Sequence, residues 1–285
     1  GSKYDPMELK PPGEVKEEAP HSLDLPKGLN AARLQSRFGL LKVLEDRDRQ
    51  LQRSGSPRYG RRGTGMEQFR EQAYRMLLSK KARAAFDVGN ENAKLRDRYG
   101  RNEYGEAFLL SRRLIESGVR LVTLVWYYIC PNGNVANVWD NHGGTASLGK
   151  KTGYQMLKAN YCLPPLDRGY SALLEDLSQR GMLDDTLVVM LGEFGRTPKI
   201  NKNLGRDHWG ALQSVVLAGG GIRGGQVYGT SDRQSAYPTS KPVKPEDFLA
   251  TVYRGLGIPP ETLIYDQQDR PHRVSDGKPV VELFG

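Results

Sequence analysis

From residue 104 to residue 256 the chain alternates amphipathic stretches at helical spacing with short apolar runs rich in β-branched residues. This alternation restricts the fold more than any other property of the chain. Residues 104–117 set Phe108, Leu109, Leu114 and Ile115 at helical spacing and stop at Gly118. Residues 119–127 (VRLVTLVWY) are nearly all apolar, as expected of a strand covered on both faces. Residues 163–180 repeat the amphipathic pattern, with Pro164 and Pro165 in the first turn and Gly181 just past the end. Residues 186–191 and 213–218 read as two further buried strands, and Lys244-Pro245-Glu246-Asp247 opens a last helix over 248–256. Helices that alternate with covered strands predict an α/β fold built on a mostly parallel sheet flanked by helices.

The first hundred residues carry no comparable alternation. Residues 1–28, rich in Pro, Gly, Lys and Glu, read as an extended arm or linker. Residues 29–54 place Leu34, Leu40, Leu41, Leu44 and Leu51 at helical spacing. Residues 53–65 hold four Arg, four Gly and a Pro with no acid, and predict a basic loop. A second helix is expected over 66–78, continuing through 80–86, and residues 87–99 are polar and helix-biased. The organisation expected is thus an arm (1–28), a helical segment (29–100) and an α/β portion (101–285).

With 38% hydrophobic and 26% charged residues, the chain has the composition of a folded soluble domain rather than a collagenous, mucin-like or disulfide-dense scaffold. No apolar run approaches the roughly 18–20 residues of a membrane-spanning helix, so no transmembrane segment is expected. Forty-two Lys and Arg against 33 Asp and Glu give a formal net charge of +9, which favours anionic partners. Specific nucleic-acid binding is not expected. The basic stretch 53–62 has Tyr59 as its one aromatic and belongs to no known module, so it reads as a solvated loop. Cys130 and Cys162 read as two isolated core residues rather than a disulfide.

In open α/β sheets, ligands bind beyond the carboxyl ends of the strands. The stretches near those ends are Trp139-Asp140-Asn141-His142-Gly143-Gly144, Gly192-Glu193-Phe194-Gly195-Arg196-Thr197-Pro198 and Gly205-Arg206-Asp207-His208-Trp209-Gly210. Each sets Asp, Glu or His in a loop made compliant by glycine. Carboxylate oxygens and neutral imidazoles are the ligands of divalent ions, so Asp140, His142, Glu193, Asp207 and His208 are candidate metal ligands. The ion expected is Zn, Mn, Ca or Mg. Such an ion polarises a phosphoryl or sulfuryl oxygen, and Arg196 and Arg206 are candidate contacts to the anion. Plainer roles stand beside these: a capping Asp with a surface His at 140 and 142, a loop cap at Glu193, a buried polar pair beside Trp209 at 207 and 208. His21 and His272 read as surface histidines. The run Gly219–Gly225 lacks the ending of a phosphate-binding loop and reads as a tight turn.

Residues 163–195 (LPPLDRGYSALLEDLSQRGMLDDTLVVMLGEFG) resemble the segment of sulfatases and alkaline-phosphatase-like enzymes in which a helix leads through Gly-Leu-Asp-Asp-Thr into a strand. More closely, the chain resembles domain-of-unknown-function family 1501, a group of sulfatase-like bacterial proteins. There WD-x-H, GEFGRTP-x-I-N, GRDHW and AGGGI-x-GG recur in this order. The resemblance covers residues 23–284. It implies an alkaline-phosphatase-like three-layer α/β/α fold, here lacking its amino-terminal strands, and a metal-dependent sulfatase- or phosphatase-like hydrolase.

By the same resemblance, Asp140 and His142 form a metal-binding pair, Glu193 stands where the superfamily has a metal-binding Asp, and His208 is the later ligand with Asp207 beside it. Phe194 stands where the superfamily has a ligand histidine, which implies a two-metal site either reduced to one metal or rebuilt; Arg196 and Lys199 are the anion-facing candidates the resemblance implies. The superfamily's nucleophile and first metal-binding Asp belong to an amino-terminal segment with no counterpart in these residues. The chain then corresponds to the carboxy-terminal part of the family's length. The implied substrate is an anionic small molecule or polysaccharide, and the implied location is the periplasm or cell surface. A non-catalytic protein that binds sulfated polysaccharide is the alternative.

Overall fold

The computed structural model describes residues 25, 28–53, 71, 74, 77–266 and 268–285. The expected arm and basic loop, most of the expected second helix, and His21 lie outside the described residues. The chain divides into two compact units. One comprises residues 1–97 and 101–124; the other comprises residues 98–100 and 125–285. Among the described residues no helix is long and apolar enough to cross a membrane.

The first unit is helical. Its described helices are α1 (Ala31–Arg53), α2 (Lys80–Phe86), most of α3 (Ala93–Tyr99) and α4 (Glu103–Ser117). α4 begins where the Asn102 side chain accepts from the backbone N–H groups of Tyr104 and Gly105, and it ends at Gly118, which takes φ +102°. Its apolar stripe meets α2: Ala85, Phe86 and Leu114 are buried together, with Leu110 and Val122 packed against them.

The second unit holds α5 (Gly153–Leu157), α6 (Leu163–Gln179), α7 (Pro245–Gly255) and the described strands. In α6, Ala172, Leu173 and Leu177 are buried. Asp176 is also buried, and its carboxylate accepts from Tyr99 Oη at 3.0 Å and from Arg180 Nε at 2.7 Å. Burial of that charge is tolerated because the carboxylate is hydrogen-bonded and paired. Cys130 and Cys162 are both buried and unbridged, as small core residues, and burial pushes the Cys162 thiol up to about 11.

The three-layer α/β/α architecture with a mostly parallel sheet is not what the chain adopts. The described strands form two-stranded antiparallel pairs: β1 (Tyr128–Ile129) with β2 (Val135–Ala136), β3 (Val188–Met190) with β6 (Val216–Ala218), β4 (Gly195–Arg196) with β5 (His208–Trp209), β7 (Thr230–Ser231) with β8 (Pro238–Ser240), and β9 (Leu263–Tyr265) with β10 (Pro271–Arg273). A parallel pair needs a long crossover, usually a helix. The connection from β3 to β6 has no helix. It carries β4 and β5 instead, so the chain doubles back and β6 returns antiparallel to β3. Residues 119–127 form no strand. Their burial alternates: Leu121 is 79% and Val125 72% exposed, while Val122, Leu124 and Trp126 are half-buried. One covered face replaces the two that were expected.

Nested pairing makes residues 188–218 one long hairpin. Val188 sits opposite Ala218 and Met190 opposite Val216; further along, Gly195 sits opposite Trp209 and Arg196 opposite His208. The ladder continues to Thr197, whose N–H donates to the Asp207 carbonyl at 2.9 Å. The tip is residues 198–206, and His208 lies on the returning arm next to it.

Candidate metal centre

The centre joins the end of this hairpin to the loop 139–144. Val138 and Asn141 are buried on either side of Asp140, and the Asn141 amide donates to the Gly153 carbonyl at 2.7 Å. These anchors leave Asp140 and His142 partly exposed. The hairpin tip lies backbone against backbone on this loop. Arg206 N donates to the Asn141 carbonyl at 3.1 Å, and Asn201 Nδ2 to the His142 carbonyl at 3.1 Å. So close an approach leaves no room for side chains at Gly143 and Gly205. A Cβ on Gly205 would lie 2.1 Å from the His142 carbonyl carbon, and one on Gly143 would lie 2.2 Å from the Asn203 oxygen.

Asp140, His142 and His208 come together as a possible ion-holding group. His142 Nε2 is 3.1 Å from Asp140 Oδ1 and 3.0 Å from His208 Nε2, and His208 Nε2 is 2.7 Å from the same Asp140 oxygen. A triangle with these edges has a circumscribed radius of ~1.7 Å, less than metal–ligand bonds of roughly 2.0–2.2 Å. The three atoms would therefore lie within reach of a single cation.

Proton bookkeeping points the same way. His142 Nδ1 lies 3.0 Å from Asp207 Oδ1. Hydrogen bonds from His142 and Asn201 hold the Asp207 carboxyl below its ordinary range, so it is an ionised acceptor and Nδ1 is the donor. A neutral imidazole carries a single N–H. In the neutral form with its proton on Nδ1, His142 offers a lone pair at Nε2 toward the Asp140 carboxylate and the His208 ring. A proton on His208 Nε2 relieves one of these contacts and leaves another pair of electron-rich atoms facing. A divalent cation would satisfy all three donors at once.

The Asp140 carboxyl is held ionised. Burial raises its carboxyl, but hydrogen bonds from Arg196 and His208 and the charge of Arg196 outweigh it and hold it at about 2. Arg196 reaches Asp140 Oδ1 at 2.7 Å and the Trp139 carbonyl at 2.8 Å through one nitrogen, and the Arg206 carbonyl at 3.3 Å through the other. Its guanidinium braces the ligand loop. Arg206 is likewise turned onto the carbonyls of Thr197 (2.6 Å) and Pro198 (2.7 Å). Lys199 is exposed at the tip. Phe194 lays its ring on His208, with centroids 4.2 Å apart.

A family model described as "Protein of unknown function (DUF1501)" matches residues 1–284. The chain belongs to this family. Comparison with curated proteins and with solved structures gave no match.

Of the ligands expected in this DUF1501 chain, the structure brings Asp140, His142 and His208 together. Asp207 meets the far nitrogen of the His142 ring. Glu193 is exposed and stands outside the three-donor cluster. His272 is exposed on β10, with its ring 3.2 Å from Asp266 Oδ2. Asn201 was not singled out from the sequence, yet its side chain is a hub of the tip. It donates to Asp207 Oδ1 (2.9 Å) and the His142 carbonyl, and accepts from Asn203 N (2.9 Å) and Gly205 N (3.1 Å). The signal for it was its place as the last residue of the GRTPKIN stretch, seven residues ahead of His208.

Proposed function

We propose that this chain binds one divalent cation through Asp140, His142 and His208, and that the bound ion serves hydrolysis of a sulfate or phosphate ester. The observation that carries the proposal is the convergence of one carboxylate oxygen and two imidazole nitrogens 2.7–3.1 Å apart. Two imidazoles and one carboxylate favour Zn or Mn over Ca or Mg, whose preferred ligands are oxygens. When bound, such an ion polarises an ester oxygen and makes a coordinated water more acidic. The chain's own residues do the rest. His142 and His208 hold the ion, Asp140 offsets its charge, and Arg196 keeps the Asp140 carboxylate ionised and aimed. The side chains of His142, Asp140 and His208 are 37%, 42% and 50% exposed, so one side of the centre is open to a ligand. Phe194, lying against His208, supports a single ion rather than two. The sulfatase-like chemistry, the exported bacterial setting and the place of these residues in the carboxy-terminal part of the family's length belong to the same proposal. They rest on the order of the four sequence motifs.

Calorimetric titration of chelator-treated protein with Zn²⁺ and Mn²⁺ tests the ion site. One ion per chain is expected for the wild type. His142→Ala and His208→Ala should each weaken binding by more than the roughly 10–100-fold that loss of an outer-shell partner costs. A wild type that takes up no ion would end the proposal. Arylsulfatase and phosphodiesterase turnover, assayed with and without the ion, tests the hydrolase. Stoichiometric ion binding with no turnover would leave a metal-dependent binding protein.

Affinity should also depend on pH in a defined direction. Protons compete with the ion for imidazole lone pairs, so binding releases protons and strengthens as pH rises. Each proton displaced contributes about tenfold per pH unit on the acid side. Titrations repeated in buffers of different ionisation enthalpy count the protons. A constant affinity from pH 5 to pH 8 would exclude the two histidines as ligands.

A further inference from the structure

Asp207 stands beside His208 in the chain, and both residues reach the same ring, that of His142. Asp207 Oδ1 lies 3.0 Å from Nδ1, while His208 Nε2 lies 3.0 Å from Nε2. Successive side chains leave a strand on opposite sides, so the two neighbours take different edges of the imidazole. Asp207 is held in turn. Its oxygen accepts from Asn201 Nδ2 at 2.9 Å, and its backbone N–H donates to Thr197 Oγ1 at 3.1 Å. The Asn201 side chain uses both its donor group and its acceptor oxygen within the tip, so it has a single way to sit.

We propose that Asp207 is a positioning residue, clamped by Asn201, that fixes the ring and the tautomer of His142 so that Nε2 is offered as the metal ligand. The inference rests on the metal-centre reading and deepens it. A neutral histidine in water holds its proton on either nitrogen. Only the form with the proton on Nδ1 has a free lone pair at Nε2, the atom that faces Asp140 and His208. A carboxylate at Nδ1 selects that form before any ion arrives and makes Nε2 a better donor. Asn201 carries this order further, since the same amide that holds Asp207 also holds the His142 carbonyl at 3.1 Å. Backbone and ring of the ligand are thus set from one residue on the opposing tip.

The tautomer is measured directly on ¹⁵N-histidine-labelled full-length chain, freed of metal, by long-range proton–nitrogen correlation. The chain has four histidines, so the His142→Ala spectrum assigns the signal. Wild type should show His142 protonated at Nδ1. Asp207→Ala should move population to the Nε2-protonated form and weaken Zn²⁺ affinity about 10–100-fold. Asp207→Asn retains an acceptor at that position and should restore the tautomer, which a merely structural role would not predict. Asn201→Ala should weaken affinity by less than Asp207→Ala, with partial loss of the Nδ1-protonated form. Wild type found with Nε2–H as its main form would overturn the proposal, even if Asp207→Ala fails to fold. So would Asp207→Ala keeping both tautomer and affinity, and in that case the metal centre itself would stand. A wild type that binds no Zn²⁺ but shows the Asp207-dependent tautomer would overturn the metal reading and, with it, the role of Asp207 in metal binding.

Discussion

Gly205→Ala is expected to abolish saturable metal binding and to destabilise the hairpin tip. The added carbon would sit 2.1 Å from the His142 carbonyl carbon, 2.2 Å from its oxygen and 2.3 Å from Gly143 N. All three are backbone atoms, so no rotamer change relieves the clash and the whole tip has to withdraw. Overpacking of this kind costs typically about 1–3 kcal/mol. The withdrawal also breaks the Arg206–Asn141 and Asn201–His142 bonds across the gap, at about 1 kcal/mol each. A displacement on the order of 1 Å far exceeds the roughly 0.2 Å tolerance of metal–ligand distances. Gly210→Ala is the control, because a Cβ there meets nothing within 4 Å. Calorimetric Zn²⁺ titration of the two variants decides the matter. Wild-type affinity in Gly205→Ala would mean that the tip and the His142 loop do not lie in contact.

The same two segments show what the sequence could and could not say. That Asp140, His142 and His208 belong to one site was legible, because each is a metal-ligand type set among glycines that permit close approach. The division of labour between Asp207 and His208 was not. Adjacent residues on a strand diverge, and the choice of which one meets the other ligands depends on where the His142 ring lies. The glycines themselves spoke only for compliance. Their actual function, at Gly143 and Gly205, is to let two backbones touch.

For the fold, the helices were readable from their ends. α4 has Gly118 after it, and α6 has prolines in its first turn. The existence of apolar strands at Val188–Met190 and Val216–Ala218 was readable as well, but their direction was misjudged. An apolar run reports burial and says nothing about its partner. The deciding information lay in the connection, where Gly192, Gly195, Pro198, Gly205 and Gly210 interrupt any helix long enough to serve as a crossover. A chain that cannot cross over has to turn back, and that turn is what carries His208 to Asp140. The resemblance to alkaline-phosphatase-like enzymes pointed to Asp140, His142 and His208, which converge, to Glu193, which stands apart from them, and to the wrong strand topology.

In the helical unit, Glu91→Ala is expected to cost about 2–3 kcal/mol of stability at neutral pH. Arg112 is 1% exposed, and its guanidinium pairs with Glu91 and with Glu116. Glu91 also binds Arg113 at 2.6 Å, and Arg113 Nε donates to the Ala85 carbonyl at 2.9 Å, near the end of α2. The carboxylate therefore ties α4 to the chain that follows α2. Removing one partner of a buried pair costs roughly 3–5 kcal/mol when the other is left bare. Here Glu116 still holds Arg112, which lowers the figure. Burial pushes the Glu91 carboxyl up, but hydrogen bonds from Arg112 and Arg113 and the charge of Arg112 outweigh it and hold it at about 2, against an ordinary 4.5. A carboxyl depressed in the folded state stabilises above its unfolded value, so this contribution is intact above pH 4.5 and fades as pH falls from there toward 2. Urea unfolding followed by helical circular dichroism at pH 7 and pH 3 should therefore show a smaller difference between the two pH values in Glu91→Ala than in wild type. A midpoint at pH 7 equal to wild type would mean that the partners left to Arg112, Glu116 among them, suffice for it. Replacing both partners, Glu91→Leu with Arg112→Met, should recover part of the loss, since a buried ion pair exchanged for packed apolar side chains is often neutral.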